Sequence, residues 1–353
     1  MKKTTPLNNK VIKQTEAPPK KVHWFFKTLL IILSVLIIIS LLAMVRFWWL
    51  NHNKKEVLGV SFSQEQAERF GGDWHQNYTA LLDELGFRHI RVPAYWNRIE
   101  PQPGRYNFSE TDYMVAEAKK RGAKLTMVIG QKNLRVPECY YPSWLDKNNS
   151  EQVQTEVNKM LKATVEHYKN EPTIEAWQLE NEFLLKDFGV CPSQNLTNKA
   201  LKAELATVQN TDNTRPIIIT QSNQTGFPIF GPLANVYGFS MYRWVWSPFG
   251  YYRYPQTGIY NWWKAAIINL YTGQDIKVHE LQTEAWDKVG NENLDFTRSQ
   301  QTMNPRQLAE NIDYARQTQI KRIDLWGSEW WYALKQQGHP EMWEAVANLP
   351  NKD

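Results

Sequence analysis

The sequence predicts a closed α/β barrel of eight β/α units, the (β/α)8 TIM barrel, preceded by a single transmembrane helix. Two observations predict this fold. An uncharged apolar run of membrane-spanning length lies near the start of the 353-residue chain. After it, short β-branched runs alternate with amphipathic stretches. No Gly/Ser-rich linker interrupts residues 56–349, so we expect one domain there.

The apolar run extends from Thr28 to Val45, and aromatic residues flank it on both sides. Such flanking aromatic residues are typical of the two membrane interfaces. A cleaved secretory signal is the alternative, but its apolar region has about 7–15 residues and ends in a small-residue cleavage site. Here Arg46, Phe47 and two tryptophans follow instead. The sequence therefore favours an uncleaved anchor over residues 24–50.

The distribution of charge predicts the orientation of this anchor. Residues 1–55 hold ten Lys and Arg against one acid, Glu16, and the rest of the chain holds 31 basic and 35 acidic residues. Most of the ten precede the apolar run, so the positive-inside rule places the N-terminus in the cytoplasm and the domain outside the plasma membrane. The excess of basic over acidic residues lies in the anchor region, where lysines contact anionic lipid. We therefore expect no nucleic-acid partner. Residues 1–23 predict a disordered cytoplasmic tail, and residues 51–55 a short linker.

Eight strands are predicted in the outer domain: Val57–Phe62, His89–Pro93, Lys124–Ile129, Ile174–Leu179, Pro216–Thr220, Val236–Ser240, Ile276–Leu281 and Arg322–Trp326. Helical patterns lie between them: Tyr78–Leu85, Asp112–Arg121, Glu151–Tyr168, Leu196–Gln209, Tyr260–Tyr271 and Pro305–Gln317. An open doubly wound sheet is the alternative arrangement. No phosphate-binding glycine motif follows the first strand, which disfavours the nucleotide-binding members of that class.

The two cysteines, Cys139 and Cys191, are a disulfide candidate because the domain is predicted to be exported. Two separate buried thiols are the alternative. The sequence has no CxxC or HExxH motif and no cluster of histidines, so we expect no metal site and no organic cofactor.

Acidic residues recur where predicted strands end. The fourth strand leads into Glu180-Asn181-Glu182, and the seventh carries Glu280 with Glu284 four residues later. In a TIM barrel the carboxyl ends of the strands form the active-site mouth. A retaining glycosidase needs two carboxyl groups about 5–5.5 Å apart at such a place. Any one of these acids, including Glu329 after the eighth strand, could equally be a solvated loop residue.

Tryptophan is abundant in the outer domain, which holds thirteen of the sixteen. Sugars stack their apolar C–H faces on aromatic rings, so a tryptophan-lined cleft with acids suits a glycan. Core packing is the alternative use of large aromatic side chains. We expect Trp96, Trp244, Trp246 and Trp326 to be the platforms, and the Tyr237–Tyr254 stretch to form a long binding loop.

The order of these motifs resembles the clan of TIM-barrel retaining glycosidases that includes the cellulase, β-mannanase and β-galactosidase families. The resemblance is carried by Arg91, the Trp96-to-Pro101 segment, Asn181-Glu182, Tyr242 and Trp326-Gly327. It implies that Glu182 is the acid/base and that Asn181 binds the sugar 2-hydroxyl. It also implies that Arg91 and Tyr242 support the nucleophile and that Trp96 and Trp326 contact substrate.

The nucleophile that the resemblance implies is Glu280, with Glu284 as the alternative. If Glu280 is the nucleophile, we expect Glu284 and Trp286 to line the pocket. A neighbouring carboxylate and burial would raise the pKa of Glu182, as an acid catalyst requires.

The sequence therefore predicts a membrane-anchored retaining hydrolase of β-linked oligo- or polysaccharides. Two alternatives stay open: an inactive glycan-binding barrel and a scaffold role at the cell envelope. The sequence leaves the sugar, endo or exo action and the oligomeric state open.

Overall fold

Eight parallel strands close into a barrel in the order β1-β10-β9-β6-β5-β4-β3-β2. The structure is a computed structural model that describes residues 20–186, 189–222, 234–247, 249–286 and 295–352. The barrel strands are β1 Val57–Ser61, β2 His89–Pro93, β3 Lys124–Ile129, β4 Ile174–Leu179, β5 Ile217–Gln221, β6 Val236–Met241, β9 Asp275–Gln282 and β10 Arg322–Trp326. The predicted TIM barrel is confirmed, and closure of the sheet excludes the open doubly wound alternative.

Helices surround the barrel and follow an N-terminal helix. They are α1 Lys20–Asn51, α2 Gln64–Arg69, α3 Trp74–Asp83, α4 Trp96–Ile99, α5 Ser109–Lys120, α6 Ser150–Tyr168, α7 Asn198–Thr211, α8 Gly258–Thr272, α9 Phe296–Ser299, α10 Pro305–Arg316, α11 Ser328–Gln336 and α12 Glu341–Ala347. Polar N-cap side chains accept backbone N–H bonds at many of their starts; Asn149, for example, caps α6 and Thr257 caps α8.

Barrel strands are buried on both faces, which explains their β-branched and aliphatic composition. The interior also holds an ion pair between Lys277 and Asp324, whose charged atoms lie 2.6 Å apart. Gly59 makes room for this pair, because a Cβ at that position would lie 2.4 Å from Asp324 Oδ1. This part of the interior is occupied by paired side chains, and the site lies at the opposite ends of the strands.

The stretch after β6 was predicted as a long binding loop and contains a second, small sheet. Strands β7, Trp244–Ser247, and β8, Gly250–Arg253, pair antiparallel to form a hairpin there. Because β6 ends at the mouth and α8 begins after the hairpin, the hairpin belongs to the mouth of the barrel.

The apolar segment is a continuous helix, α1. Within the described residues it contains one span, Trp24–Asn51, that is long and apolar enough to cross a membrane, with a mean hydropathy of 3.1. Of the predicted tail, residues 1–19 lie outside the described residues and residues 20–23 belong to α1. At the other terminus, the backbone N–H of Arg88 donates to the carbonyl of Lys352. The barrel domain thus makes contacts three residues beyond its predicted limit at residue 349.

Candidate active site

Polar side chains from four strands meet at the mouth of the barrel. Arg91 comes from β2, Asn181 and Glu182 follow β4, Tyr242 follows β6, and Glu280 lies on β9. Each is at or beyond the middle of its strand, so its side chain reaches the end of the barrel where TIM-barrel enzymes hold their reactive groups.

Glu182 and Glu280 approach each other closely. A carboxyl oxygen of each lies within 4.8 Å of the other, with a ring nitrogen of His279 inside the same radius. This distance matches the short separation of about 5–5.5 Å in retaining glycosidases and not the 6.5–9.5 Å or so of inverting ones. Glu182 reaches this position from a backbone with φ of 46°, which is rare for a non-glycine residue and is found at functional sites.

The surroundings of Glu182 favour its protonated form. Burial, the charge of Glu280 and the charge of Glu138 together raise the pKa of Glu182 to about 8. The hydroxyl of Ser240 donates to Glu182 Oε1 at 2.7 Å, which opposes the shift only in part. A carboxyl group that holds its proton at neutral pH can act as a general acid.

Glu280 is surrounded by donors. The hydroxyl of Tyr242 donates to Glu280 Oε2 at 2.9 Å, and the two terminal nitrogens of Arg91 lie 3.3 and 3.4 Å from Oε1. Arg91 is itself held by Gln178 at 2.6 Å and by Asn181 Oδ1 at 2.6 Å. These contacts fix the direction of the Glu280 carboxyl group.

His279 lies between the two carboxyl groups. Its Nε2 is 3.7 Å from Glu182 and 3.6 Å from Glu280, and the side chain is fully buried. Burial and the charges of Arg91 and Lys277 hold the pKa of His279 well below its usual range, so the imidazole is neutral. The three side chains are close enough to share a cation by distance alone. Ser240, Arg91 and Tyr242 already donate hydrogen bonds to the two carboxyl groups.

Glu284 has a different environment from Glu280. Arg135 donates to Glu284 Oε1 at 2.5 Å and also pairs with Glu329, and the indole N–H of Trp326 donates to the same Glu284 oxygen at 2.9 Å. The guanidinium of Arg135 lies 4.1 Å from the centre of the Trp326 ring. Glu284, Glu329 and Trp326 therefore form one buried cluster around a single arginine, beside the Glu182–Glu280 pair.

Sequence reasoning did not single out Arg135, Ser240 or Gln178. Arg135 follows the end of β3, so the rule that locates reactive residues at strand ends could have found it. Its two partners lie after β9 and on α11, and such long-range pairing has no sequence signal. Ser240 is two residues before Tyr242 on β6, so strand periodicity puts both on one side.

The predicted substrate-contacting role of Trp96 is wrong. Its side chain is fully buried, and its indole N–H donates to Glu100 Oε2 at 2.7 Å. Glu100 in turn accepts the backbone N–H of Gly104 at 2.7 Å. Trp96 packs in the core and organises the loop after β2, so it offers no surface to a sugar.

The remaining predicted residues are at the mouth. Trp286 is partly exposed and meets Tyr242 edge to face, with ring centres 5.3 Å apart. Trp244 lies on the β7–β8 hairpin, where Arg253 contacts its ring at 5.9 Å. Cys139 and Cys191 form a disulfide that joins the loops after β3 and β4.

Glu180 points away from the catalytic pair. Its carboxyl group accepts the backbone N–H groups of Gln131 and Lys132 at 2.9 and 2.6 Å. Burial and the charge of Glu204 raise the pKa of Glu180 well above its usual range. Glu180 therefore anchors the start of the loop after β3, as its alternation with Asn181 predicts.

Residues 50–315 match the profile of the cellulase family, glycosyl hydrolase family 5. An eight-stranded barrel with two close carboxyl groups at its mouth defines a class, the retaining glycoside hydrolases, to which this family belongs. The chain belongs to glycosyl hydrolase family 5, and it is a retaining glycoside hydrolase.

Solved structures share the fold at low sequence identity. A GH5_18 protein from Streptomyces cattleya, in complex with GlcNAc, has a TM-score of 0.55 at 11% identity over 77% of this chain and 70% of that one. The exo-β-1,4-mannosidase of Opitutaceae bacterium strain TAV5 has a TM-score of 0.55 at 13% identity over 77% and 51%. A family-10 endo-β-1,4-xylanase from Gloeophyllum trabeum has a TM-score of 0.51 at 15% identity over 77% and 84%.

Proposed function

We propose that the protein hydrolyses a β-glycosidic bond by double displacement, with Glu280 as the nucleophile and Glu182 as the acid/base. A Glu280 oxygen attacks the anomeric carbon while the bond to the leaving oxygen breaks, and Glu182 gives its proton to that oxygen. Water then attacks the glycosyl ester and gives a proton to Glu182, and Glu280 leaves as a carboxylate. The observation that carries this assignment is the approach of the two carboxyl groups to within 4.8 Å.

The contacts of each acid support its role. Glu280 has Tyr242 and Arg91 as donors, whereas Glu284 is engaged by Arg135 and Trp326, so Glu280 is the better nucleophile. Asn181 uses its Oδ1 for Arg91 and Gln178, which leaves the amide N–H groups to donate to a sugar hydroxyl. Trp286 and Trp326 supply aromatic surface, and Glu284 supplies an acceptor, at the pocket wall.

The substrate class that we propose is a β-linked oligo- or polysaccharide. A GH5_18 protein of this fold was crystallised with Manβ1-4GlcNAc, and another neighbour is an exo-β-1,4-mannosidase, so hexopyranosides of the manno and N-acetylglucosamine series belong in any substrate panel.

We also propose that α1 stays attached as a single-pass anchor of the plasma membrane, with the N-terminus in the cytoplasm and the barrel outside. The lysine-rich N-terminus supports this orientation. The packing of Ala43 and Phe47 of α1 into the barrel domain supports retention of the helix, because cleavage after Phe47 would remove both side chains and expose the surface that they cover.

The test uses the full chain in lipid nanodiscs with a panel of aryl β-glycosides, comparing the wild type with Glu182→Gln, Glu280→Gln and Glu284→Gln. We expect turnover to be lost in the Glu280 variant, and azide to restore it as a glycosyl azide of inverted configuration. Loss and azide rescue in the Glu284 variant, with the Glu280 variant active, would reverse the assignment. Glycan binding without turnover by the wild type on the whole panel would reject hydrolysis.

A further inference from the structure

Helix α8 is a surface helix without an exposed charge. Its one charged residue is Lys264, which is buried. The side chains on its outer side are apolar or aromatic, and Ile259 is 61% exposed. These residues, the outer stripe of α8, are Ile259, Tyr260, Trp263, Ile267, Leu270 and Tyr271. A helix that faces water normally carries polar residues outward, as α5 does with its glutamates and lysines. The outer stripe of α8 lacks such residues, so its exposure to water is unfavourable.

The same helix packs against α1. Ala43 and Phe47 of α1 are buried in the core cluster, and Arg46 donates to Asn269 Oδ1 of α8 at 2.5 Å. Further along, Lys54 pairs with Asp275 at 3.5 Å. Lys54 follows the C-terminal end of α1, and Asp275 follows the C-terminal end of α8. The two contacts therefore come in the same order along both segments, so α1 and α8 lie side by side and parallel.

This arrangement determines on which side of the barrel the membrane span lies. α8 begins after the hairpin at the mouth and ends just before β9 begins at the opposite end of the barrel. Because α1 is parallel to α8, its C-terminus lies at the closed end, and its N-terminal part points toward the mouth. The reduced exposure of α1 begins at Ser40, about 16 Å along the helix from Asn51. Residues 24–39 therefore extend past the contact with α8 on the mouth side.

The exposed apolar side chains are concentrated on the same side of the barrel. Outside α1, the large apolar side chains that the described residues expose lie in α8 or in loops at the mouth. The mouth members are Val136 after β3, Val190 after β4, and Phe249, Tyr251 and Tyr252 of the hairpin after β6. Within the described residues, the closed end exposes this class only through Leu270 and Tyr271 at the end of α8, and the helices away from α8 expose none. Such a one-sided distribution marks an interaction surface.

We propose that the barrel docks on the outer surface of the bilayer with its mouth toward the lipid. The mouth loops and the first turns of the outer stripe, with Ile259, Tyr260 and Trp263, then lie in the headgroup region, where tyrosine and tryptophan are favoured, next to the lipid around α1. The glycan that reaches the mouth in this orientation is one carried at the membrane surface, as the headgroup of a lipid. This substrate class rests on the proposed hydrolytic function, whereas the docking does not.

The docking is tested with the full chain in nanodiscs of phosphatidylcholine and phosphatidylglycerol. Because the native cysteines form a disulfide, one introduced cysteine accepts one fluorophore. Ile259→Cys and Phe249→Cys report on the proposed surface. Asn170→Cys, in the loop before β4 at the closed end, and Lys119→Cys, on α5 across the barrel, are matched exposed controls. We expect lipids with a doxyl group near the headgroup to quench the first pair at least twofold more than the controls.

Equal quenching at all four sites would overturn the docking. A blue-shifted emission at Ile259→Cys that doxyl lipids do not quench would also overturn it, because a second protein copy would then cover the stripe.

The substrate class is tested by turnover. The double variant Ile259→Ser with Tyr260→Ser, both exposed on α8 and outside the catalytic site, is compared with the wild type on a dodecyl β-glycoside in the nanodisc and on the soluble aryl glycoside of the same sugar. We expect kcat/KM to fall roughly tenfold for the dodecyl substrate and to stay unchanged for the aryl one, because only the first is presented by the bilayer. Equal kcat/KM ratios for the two substrates would overturn the lipid-borne class. No turnover of either substrate by the wild type would reject hydrolysis instead, and would leave the quenching result standing.

Discussion

At the scale of single residues, the site depends on two glutamates in different surroundings. Glu182 is buried beside a second carboxyl group and accepts a hydrogen bond from the hydroxyl of Ser240. Glu280 accepts hydrogen bonds from the phenol of Tyr242 and the guanidinium of Arg91. The neutral imidazole of His279 lies between them and adds no charge. This difference supports the proposed division of roles, with Glu182 as the acid and Glu280 as the nucleophile.

This division predicts the alkaline limit of activity. Glu182 must be protonated to act as an acid, and its pKa is raised to about 8, so kcat/KM should fall as pH rises through that value. Glu182→Gln should remove this alkaline limb for an aryl glycoside whose leaving group needs no proton, while activity on an alkyl glycoside is lost. The measurement is kcat/KM against pH for both substrates. An alkaline limb that persists in the variant would assign it to another group.

A second prediction concerns the support of the nucleophile. Tyr242→Phe removes the 2.9 Å hydrogen bond to Glu280 Oε2 and leaves the ring in place. A hydrogen bond to a charged group contributes about 1.5–3 kcal/mol, so we expect kcat/KM to fall about 10- to 100-fold. The matched control is Tyr141→Phe, whose hydroxyl bonds Gln131 outside the catalytic pair. Equal losses in the two variants would mean that Tyr242 does not support the nucleophile.

At the scale of elements, the loop after β3 is held to the barrel by its first residues. Gly130 has a φ of 127°, and a Cβ there would lie 2.2 Å from Glu180 Oε1. Since Glu180 accepts the next two backbone N–H groups, the loop turns around this carboxyl group. Further along, Arg135 reaches Glu284 and Glu329, so the loop also closes one wall of the site.

Gly130→Ala should therefore damage both stability and activity. Backbone strain and overpacking each cost about 1–3 kcal/mol, so we expect the free energy of unfolding to fall by roughly 2–5 kcal/mol. Gly122→Ala is the control, because Gly122 also has positive φ, 66°, but a Cβ there meets nothing within 4 Å. Chemical denaturation compares the two variants. A loss no larger than that of the control would show that Glu180 moves aside at no cost.

Elements also differ in how far the sequence predicts them. All eight barrel strands could be located within one residue at each end, because each is a short segment rich in β-branched and aliphatic residues between helical patterns. Short helices such as α4 and α9 carry no periodic signal over four residues. Trp96 begins α4, and its burial against the loop after β2 depends on tertiary packing that its sequence position does not encode. The pairing of Arg135 with Glu284 and Glu329, about 150 and 190 positions away, could not be predicted from the sequence either.

At the scale of the whole molecule, the anchor and the barrel are one packed unit. α1 contributes Ala43 and Phe47 to the same apolar cluster as the barrel helices, and its Arg46 bonds α8 directly. With α1 as the membrane anchor that we propose, the barrel is held beside it and reaches only the glycan layer that adjoins the membrane. Substrates would then be restricted by position as well as by chemistry.

This unit predicts a single-pass topology that can be measured directly. With different epitope tags at the two termini, protease added to intact cells lacking an outer barrier should remove the C-terminal tag and spare the N-terminal one, because the lysine-rich N-terminus stays inside. After permeabilisation both tags should be cleaved. The purified chain should also keep its full mass of 41.5 kDa plus tags. A product shortened by removal of the apolar segment would instead identify a signal sequence. Since the barrel would then lose the cover that Ala43 and Phe47 provide, that result would also require a different partner on the surface of α8.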